Sequence, residues 1–496
     1  MNTKFAPVEA LFNVDAYKLS HFQLYALAGD VTRVYSNYTN RGSRMPDVTH
    51  VVHFGLQAYL QELVESYAPF FAADEDEVAA LYEERVTSIV GPNQIGSDHI
   101  RALHRLGYLP LKFAAVPEGT EVPLRVPSFT VENTHPDFYW LTNYIETDLS
   151  ASVWQASTTA TIARRLRKLL DEAAERTGGP AAAVDFQGHD FSYRGMSSRE
   201  TAAASSAGHL LSFSGTDTLV SLEWIDKYYG GPFVAGSVPA TEHSVMCAGI
   251  ATLGEQELFN KILDLYPAGI VSVVSDTFDL WQVLTEFLPN LKEKIMARDG
   301  KLVIRPDSGD PVDILTGKNS RTLKSIHSGT KTDPEDKGVV ELLWETFGGT
   351  VNDKGFKELD SHTGVIYGDS INYERAQQII ARLEAKGFAS TNVVFGVGSF
   401  TYQYNTRDTF MSAIKATWAV IDGKPVNLKK DPATDSGTKK SATGRLAVLQ
   451  DEDGELFMIQ EAEPVHEMFS LIQPIWEDGE FITRQSFAEI REVLNG

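Results

Sequence analysis

From about residue 184 onward, short apolar runs alternate with polar clusters, and a helical pattern often follows the cluster. Seven segments of this kind lie at residues 189–195, 210–217, 233–243, 271–276, 302–310, 365–369 and 393–399. Strands that alternate with helices and carry functional residues at their carboxyl ends are typical of a β/α barrel or an open parallel sheet. With the polar residues all at one end, the pattern favours an irregular barrel, and a doubly wound sheet is the alternative.

The chain on either side of this region is patterned differently. Apolar spacing predicts a helix over Phe54–Leu63, short strands within Leu111–Val131, and a helix that begins near Ser157 to Thr159 and ends at Gly178-Gly179. The C-terminal part predicts short strands and one helix around Ser486–Leu494, and we expect it to pack on the N-terminal part. Residues 318–338 indicate an exposed insertion, and residues 429–444 indicate a mobile loop.

Composition narrows the class of protein. The chain has 496 residues, a net charge of −23 and a single cysteine, Cys247, so no internal disulfide can form and a cytoplasmic location is expected. No apolar run of about 18 residues is present, and we expect neither a signal peptide nor a membrane span. Because the acidic surface would repel a nucleic-acid backbone, any anionic ligand must be small and held in a locally basic pocket.

The segment His189-Asp-Phe-Ser-Tyr-Arg-Gly195 combines aromatic side chains with an acid and an arginine. Phe191 can stack on a flat ring, and Arg194 can hold a phosphate through two hydrogen bonds. The segment therefore points to a planar heterocycle beside a phosphorylated sugar. In Arg305-Pro-Asp-Ser-Gly309 the arginine can neutralise phosphate while Asp307 approaches ribose hydroxyls or a metal; a tight turn that caps a helix is the alternative.

Three further strand ends carry candidate chemistry. Asp217 offers a carboxylate to a ligand, or it caps the helix that follows. The turns Gly368-Asp369-Ser370 and Gly396-Val-Gly-Ser399 expose backbone N–H groups that can bind an anion, or they are ordinary glycine turns.

Beyond these turns, Arg407, Ser412 and Lys415 fall at helical spacing and would share one face of a helix, which either binds an anion or is a solvated basic face. His243 is a lone histidine that serves catalysis or a structural hydrogen bond, and Asp276 of the next segment would orient it and stabilise its imidazolium. The sequence has no Cys/His metal spacing, Walker loop or Gly-x-Ser-x-Gly elbow, so we expect no fixed metal site.

Taken together, these residues resemble the nicotinamide phosphoribosyltransferase family over nearly the whole chain. The matching motifs occur in family order, and they are Asp15-Ala-Tyr-Lys18, Val116-Pro-Glu-Gly119, Val131-Glu-Asn-Thr134, Tyr139-Trp-Leu-Thr-Asn143, His189–Gly195, Gly215-Thr-Asp-Thr218, Ser237-Val-Pro-Ala240, Glu242-His-Ser244, Ser272-Val-Val-Ser-Asp276, Arg305–Gly309, Gly368-Asp369, Thr406-Arg-Asp408 and Lys430-Asp-Pro432.

The resemblance implies an irregular β/α barrel at residues 181–409 and an α/β domain that residues 1–180 form and residues 410–496 complete. It implies a homodimer with a shared active site, which binds neither nucleic acid nor membrane. The implied reaction transfers phosphoribosyl from phosphoribosyl pyrophosphate to nicotinamide, giving nicotinamide mononucleotide and pyrophosphate in NAD salvage. Mg²⁺ would bind with the pyrophosphate, and ATP hydrolysis would be coupled through a phosphohistidine.

The resemblance also implies roles by motif position. The nicotinamide site would consist of Phe191, Arg194, Asp217, Ser272 and Tyr17 of the partner subunit. The ribose and its phosphate would lie against Arg305, Asp307, Gly368, Asp369, Gly398 and Ser399. Pyrophosphate would contact Arg41, Arg407, Ser412 and Lys415. The catalytic set would be His243, which ATP phosphorylates, with Asp276 as its orienter, and Asp307.

Three departures from the family pattern lie near the phosphate cradle: Ser192 replaces a usual glycine, Ser370 replaces a glycine after the aspartate, and Ser399-Phe400 shortens a glycine run. The nearest alternative function is a nicotinate-specific sister enzyme, whose carboxylate substrate Asp217 would repel. A non-catalytic binding protein is less favoured because the site residues are present. A metal-dependent barrel hydrolase or aldolase is less favoured because the metal ligands are missing.

Overall fold

The computed structural model describes residues 4–231, 235–318, 333–368, 370–434 and 440–496. The chain forms two compact units. The first unit contains residues 1–161, 223–233 and 405–496, and the second contains residues 162–222 and 234–404. The chain therefore enters the second unit at residue 162, inside the long helix Glu146–Thr177, returns to the first unit for residues 223–233, and leaves the second unit after residue 404. The sequence predicts boundaries at 180 and 409.

The strands of the described residues are numbered in chain order. They are β1 (Val31–Asn40), β2 (His50–Val52), β3 (Leu111–Ala115), β4 (Glu121–Pro123), β5 (Pro127–Asn133), β6 (Gly188–Asp190), β7 (Gly215–Thr216), β8 (Ala268–Val274), β9 (Asp299–Arg305), β10 (Gly349–Val351), β11 (Lys357–Leu359), β12 (Thr363–Tyr367), β13 (Val393–Val397), β14 (Ser412–Ile421), β15 (Lys424–Asn427), β16 (Leu446–Gln450), β17 (Leu456–Gln460), β18 (Gln473–Glu477) and β19 (Glu480–Phe481).

Helices connect and flank these strands. In the first unit they are His21–Tyr25, Leu56–Ala72, Glu75–Val90, Asp98–Leu106, Leu141–Tyr144, Pro464–Met468 and Phe487–Asn495. The helices Glu146–Thr177 and Val220–Tyr228 run from one unit into the other. In the second unit they are Ala181–Val184, Arg199–Leu210, His243–Leu253, Glu255–Leu265, Leu280–Gln282, Leu288–Asn290, Lys292–Met296, Pro311–Thr316, Pro334–Lys337, Val339–Phe347, Tyr373–Ala385 and Ser399–Tyr402. No helix in the described ranges is long and apolar enough to cross a lipid bilayer.

The first unit is built on an antiparallel sheet with the described strand order β15-β14-β1-β5-β3-β18-β19. β3 pairs with β18, and β1 pairs with β14, so segments from both ends of the chain alternate within one sheet. Trp476 of β18 is fully buried and packs edge-on against Phe113, with ring centroids 5.7 Å apart. Burial of such large aromatic side chains is a main stabilising contribution to a core.

The long helix begins earlier than its sequence predicts. The prediction of a start near Ser157 to Thr159 is wrong, because the helix begins at Glu146; its predicted end agrees with Thr177. Ser157 does not cap a helix: its hydroxyl donates to Val52 O at 2.6 Å, and Thr161 Oγ1 accepts from Val52 N–H at 2.9 Å. These hydroxyls bind the backbone of β2, so residue types that usually start helices lie inside one.

The second unit contains the predicted irregular β/α barrel. Its described strands form a parallel sheet in the order β7-β6-β13-β12-β9-β8. The segment 236–240 lies between the two edge strands: Thr216 N–H donates to Gly236 O at 3.1 Å, and Ser272 N–H donates to Pro239 O at 2.9 Å. This segment closes the sheet through isolated bridges in place of a regular strand.

One detail of the predicted barrel differs in the structure. The apolar run 210–213 is the end of the helix Arg199–Leu210 and the turn after it, while the strand at this position is the shorter β7. Phe233, most of the predicted insertion (319–332) and part of the predicted loop (435–439) lie outside the described residues.

Candidate active site

The carboxyl ends of the barrel strands surround a cavity of about 970 Å³. Most of the residues predicted for the nicotinamide, ribose and phosphate sites line it or adjoin it. The lining residues are Phe191, Tyr193, Arg194, Met196, Ser198, Arg199, Asp217, Thr218, Ala240, Thr241, Glu242, Arg305, Asp307, Gly368, Gly398 and Ser399. Because parallel strands end at the same edge of a sheet, segments far apart in sequence meet here.

Asp217, directly after β7, presents a carboxylate to this cavity. His189 Nε2 lies 2.9 Å from Asp217 Oδ1, and the Ser237 hydroxyl donates to the same oxygen at 2.5 Å. Burial alone would raise the pKa of Asp217, but the hydrogen bonds from His189 and Ser237 outweigh it and lower the pKa below its ordinary value. The side chain is therefore a carboxylate anion at neutral pH.

Phe191, directly after β6, offers an aromatic ring at the same cavity. The His189 ring lies 4.6 Å away between centroids, and the Arg305 guanidinium lies 4.7 Å from the Phe191 centroid. Gly396 makes room for this ring, since a Cβ there would lie 2.9 Å from Phe191 Cδ2. The ring is thus held from one side by the barrel, beside a cation that can approach a phosphate.

Arg305 and Asp307, at the end of β9, lie against the Gly368 turn. A Cβ on Gly368 would collide with the Asp307 carboxylate and lie 2.7 Å from Arg305 Nε, so both side chains would have to move from their present positions. Gly398 and Ser399 line the same cavity, and Ser399 lies against Gly195. Asp369 lies outside the described residues. The Gly368 turn does not begin a helix directly, because the next helix, Tyr373–Ala385, starts after its cap Asn372.

His243 lies beside two acidic side chains. Its Nε2 is 3.5 Å from Asp276 Oδ1, and its Nδ1 is 4.0 Å from Asp307 Oδ2. Asp276 is held in place because its Oδ2 accepts from Asp307 N–H at 2.8 Å and from the Ser308 hydroxyl at 2.6 Å. His243 is half-exposed while the Asp276 side chain is buried. The imidazole is therefore reachable from solvent and is oriented by the buried carboxylate.

Several buried polar atoms around this site lack a hydrogen-bond partner among the described residues. They are Ser192 Oγ, Thr218 Oγ1, Ser272 Oγ, Asp276 Oδ1, Thr277 Oγ1 and Arg305 Nε. Leaving such an atom unpaired costs about 1–3 kcal/mol, and two of these residues, Thr218 and Arg305, line the cavity, where ligand atoms would complete their bonds. Ser272, predicted as a nicotinamide contact, belongs to this group.

The residues predicted for pyrophosphate and for the second stacking ring lie in the first unit, where Lys415 of β14 borders two cavities. One cavity, of about 190 Å³, is also lined by Arg41, Arg125 and Lys440. The other, of about 230 Å³, is also lined by Tyr17 and Arg407. Burial lowers the pKa of Lys415, Glu146 opposes that shift, and nearby cations add to it. The charged residues that line the first cavity are all cationic, whereas Asp15 and Glu146 also line the second.

The prediction that Arg407, Ser412 and Lys415 share one face of a helix is wrong. Ser412 and Lys415 lie on strand β14, and Arg407 lies on the short 3₁₀ turn before it. Ser412 is buried, donates to Asn40 Oδ1 at 2.6 Å, and lines neither cavity. Tyr17, by contrast, is 61% exposed.

Sequence reasoning gave no individual role to His189, Ser237, Glu242 or Arg125. The signal for His189 was its position two residues before Phe191, and the two rings lie 4.6 Å apart between centroids. Ser237 and Glu242 lay within quoted motifs, but their approach to Asp217 and to the cavity depends on barrel closure. Among the described residues, no group of three or more His, Cys, Asp or Glu side chains is placed to hold a metal ion.

Comparison with known proteins identifies the family that the chain matches. The model of the nicotinate phosphoribosyltransferase (NAPRTase) family matches residues 186–469. A protein named nicotinamide phosphoribosyltransferase from Acinetobacter baylyi is 46% identical, over 100% of this chain and 98% of its own length. One of the same name from Mycoplasma pneumoniae is 37% identical, over 88% of this chain and 94% of its own length.

Two solved structures share the fold. Nicotinate-nucleotide pyrophosphorylase from Pyrococcus furiosus has a TM-score of 0.56 at 18% identity, covering 100% of this chain and 96% of that one. Human nicotinic acid phosphoribosyltransferase has a TM-score of 0.54 at 16% identity, covering 97% and 92%. At such low identity these two likenesses concern the fold alone.

Proposed function

Because this chain belongs to the nicotinate phosphoribosyltransferase family, we propose that it transfers phosphoribosyl from phosphoribosyl pyrophosphate to nicotinamide. The reaction forms a bond between the pyridine nitrogen and ribose C1 and breaks the bond between C1 and pyrophosphate. The products are nicotinamide mononucleotide and pyrophosphate, as in NAD salvage. No strong general base is required, since the attacking nitrogen carries no proton.

The observation that carries this choice of substrate is the anionic Asp217 at the cavity wall. Two donors bind its Oδ1 and its pKa is lowered, so the group that meets it must donate a hydrogen bond. The carboxamide of nicotinamide has such an N–H, whereas the carboxylate of nicotinate would face a like charge. Nicotinate phosphoribosyltransferase, the alternative, is disfavoured for this reason.

The sugar end of the substrate would lie against the Gly368 turn. Arg305 would supply a half-buried cation whose buried Nε has no hydrogen-bond partner among the described residues, Asp307 would meet the ribose hydroxyls, and Gly398 and Ser399 would complete the cradle. Arg194 and Phe191 would contact the phosphate and the ring, with Asp369 as a further expected contact. As the C1–oxygen bond breaks, the sugar becomes oxocarbenium-like, and fixed polar groups keep it aligned with the ring nitrogen.

Pyrophosphate would bind the cations of the first unit. Arg41, Arg407 and Lys415 border anion-sized cavities, and Ser412 supports the strand that carries Lys415. Mg²⁺ would enter with the pyrophosphate and help to neutralise its charge. Phe191 would hold one face of the pyridine ring and Tyr17 of the partner subunit the other, which makes the enzyme an obligate homodimer.

ATP is proposed to phosphorylate His243. The imidazole is half-exposed, and Asp276 lies 3.5 Å from its Nε2, where it can stabilise the positive ring while Nδ1 or Nε2 attacks the γ-phosphorus. The γ-phosphoryl group moves to the ring nitrogen and ADP leaves. Extra negative charge beside Asp307 would organise Mg²⁺ and pyrophosphate, and hydrolysis of the phosphohistidine would couple ATP consumption to tighter substrate binding.

The test of the main reaction uses the purified full-length protein with phosphoribosyl pyrophosphate, Mg²⁺ and either nicotinamide or nicotinate. We expect mononucleotide from nicotinamide and a strong preference over nicotinate, which Asp217→Ser reduces. Equal or better use of nicotinate by the wild type would overturn the choice of substrate. Complementation of inactive Tyr17→Ala and Phe191→Ala chains in mixed dimers tests the shared site, and a lack of recovered activity would contradict it.

The test of ATP coupling uses ATP labelled on the γ-phosphate. We expect acid-labile label on the wild type and none on His243→Gln. His362, which pairs with Asp360 away from the cavity-lining residues, supplies the matched control His362→Gln. Label that persists on His243→Gln would overturn the assignment while leaving the transferase reaction intact.

A further inference from the structure

Three neighbouring barrel segments converge on one carboxylate oxygen. His189 lies in β6, Asp217 follows β7, and Ser237 lies in the segment that closes the barrel; both hydrogen bonds end on Asp217 Oδ1. The backbone N–H of Asp217 is fixed as well, because it donates to Asp190 O at 3.0 Å. The second carboxylate oxygen, Oδ2, accepts no hydrogen bond from the described residues.

The local packing is built to hold His189 in this place. The histidine is 9% exposed, and its ring lies against Phe191, which fixes the direction of Nε2. Gly215 provides the space, since a Cβ there would lie 2.7 Å from His189 Nδ1. Parallel pairing sets His189 opposite Gly215, so the aspartate two residues further along reaches Nε2.

We propose that His189 and Ser237 are positioning residues that keep Asp217 an anion with one free oxygen, and that they thereby set the preference for an amide over an acid. Two donors on Oδ1 leave Oδ2 as the acceptor for the carboxamide N–H. Without them, burial would raise the pKa of this carboxyl, and its protonated form could donate to the carboxylate of nicotinate. The inference rests on the proposed function, and it adds residues that do not touch the substrate.

A second histidine–aspartate pair in the same unit shows what a purely structural pair looks like. His362 Nδ1 lies 2.6 Å from Asp360 Oδ1, just before β12, and neither residue lines the cavity at the carboxyl ends of the strands. Asp360 also accepts from the backbone N–H of His362, so that pair closes a turn. His189 and Asp217 instead come from different strands and meet at the cavity, which gives a matched control.

The experiment measures kcat/KM for nicotinamide and for nicotinate in four variants of His189 and Ser237 and in the control variant His362→Met. His189→Met and Ser237→Ala remove a donor, while His189→Gln and Ser237→Thr keep one near the same place. We expect the nicotinamide-to-nicotinate ratio to fall about 10- to 100-fold for each donor loss, as for hydrogen bonds to charged groups. His189→Gln and Ser237→Thr should keep the ratio within about threefold, and KM for phosphoribosyl pyrophosphate should not change in any of them.

A second measurement does not depend on turnover. Carbon-13 NMR of labelled aspartate carboxyls follows the titration of Asp217, identified by its loss in Asp217→Asn. We expect the pKa of Asp217 to rise in His189→Met and Ser237→Ala and to stay unchanged in His362→Met. A wild type without preference for nicotinamide would refute the proposed function, while this titration still decides the role of the donors.

The substrate ratio and the Asp217 titration together decide whether the inference holds. An unchanged substrate ratio together with an unchanged Asp217 titration in the donor-loss variants overturns the inference. If His189→Met does not fold, Ser237→Ala carries the same test, because Ser237 lies in the closing segment and its hydroxyl is not part of the apolar core. A fall in the ratio for His362→Met equal to that for His189→Met would also overturn it, since any buried pair would then have the same effect.

Discussion

The cavity of the barrel and the cavities beside the sheet of the first unit differ in how their lining groups are hydrogen-bonded. At the cavity of the second unit, Arg305 Nε and Thr218 Oγ1 are buried without a hydrogen-bond partner among the described residues. In the first unit, Lys415 Nζ already donates to Ile414 O at 2.6 Å and lies 3.9 Å from Glu146. The barrel therefore presents unmet hydrogen bonds to a ligand, whereas the cations of the sheet are already partly compensated.

The reason lies in the two kinds of sheet. Every parallel strand ends at the same edge, where loops can carry side chains that need no partner within the sheet. In the antiparallel sheet the cation sits within a strand: Lys415 is directly opposite Asn37, whose side-chain amide donates to Lys415 O at 3.1 Å. Its surroundings are fixed by pairing, and a ligand must compete with contacts that already exist.

The largest expected effect tests the core on which the sheet depends. Trp476→Ala should lower the free energy of unfolding by about 3–5 kcal/mol, because a fully buried indole leaves a cavity beside Phe113. Urea unfolding gives the loss, and hydrogen exchange should show the greatest deprotection in β3, β5 and β18. Exchange that rises most in β6, β12 and β13 instead would contradict the location of this core.

The next effect contrasts the two sets of cations directly. Arg305→Gln should reduce kcat/KM for phosphoribosyl pyrophosphate about 10²- to 10³-fold, because it removes a buried donor aimed at the site. Lys415→Gln should reduce it about 10- to 100-fold, since Glu146 already offsets part of that charge. Calorimetry with pyrophosphate alone should show weaker binding for Lys415→Gln and little change for Arg305→Gln. The reverse order of binding losses would break the comparison.

The difference between the parallel strands of the barrel and the antiparallel sheet also explains which site residues the sequence predicts. Asp217, Arg305, Asp307 and the His243–Asp276 pair follow apolar runs, and a barrel topology alone brings such strand ends together. The sheet of the first unit joins β1 to β14 and β3 to β18, and local periodicity carries no information about partners so far apart in sequence. For this reason the residue spacing around Lys415 predicts a helix, whereas Lys415 lies on strand β14.

The closure of the barrel is a second feature that the sequence does not predict. Ser237 reaches Asp217 only because the segment 236–240 lies between β7 and β8, held by single bridges and without the regular pattern of a strand. The early start of the helix at Glu146 was missed for a related reason, since its serine and threonine hydroxyls bind β2. Both cases depend on contacts between distant segments.

One carboxylate in each unit should make folding stability depend on pH, and the two dependences should have opposite signs. In the first unit, burial with help from Glu62 raises the pKa of Asp148 to about 6, from an ordinary 3.8. A raised folded pKa means that the folded state binds the proton more tightly, so its stability falls as pH rises from about 4 to 6, by about 2–3 kcal/mol. Asp148→Asn should remove that loss and stabilise the protein above pH 6.

Asp217 of the barrel should behave in the opposite sense. Its pKa is lowered in spite of burial, through His189 and Ser237, so its contribution is present above the ordinary value and lost as pH falls through the folded value. Thermal unfolding from pH 3.5 to 7.5 compares Asp148→Asn and Asp217→Asn. The two difference curves should have opposite slopes, and equal slopes would contradict the two environments.

The smallest expected effect compares one helix cap from each unit. Ser486 accepts from Glu489 N–H at 3.3 Å in a capping box of the first unit, and Asn372 accepts from Arg375 N–H at 2.9 Å in the second. Each change to alanine should cost about 1 kcal/mol of stability, measured by urea unfolding.

Only Asn372→Ala should also raise KM for phosphoribosyl pyrophosphate, because Arg375 of the same turn donates to Ser370 O beside the Gly368 turn. Ser486→Ala lies on a helix whose buried face packs Phe487, Ile490 and Leu494 into the first unit, and it should leave that KM unchanged. An equal rise in KM for both variants would mean that the phosphate cradle responds to global stability. A rise for Asn372→Ala alone means that the barrel loop is held by its own cap.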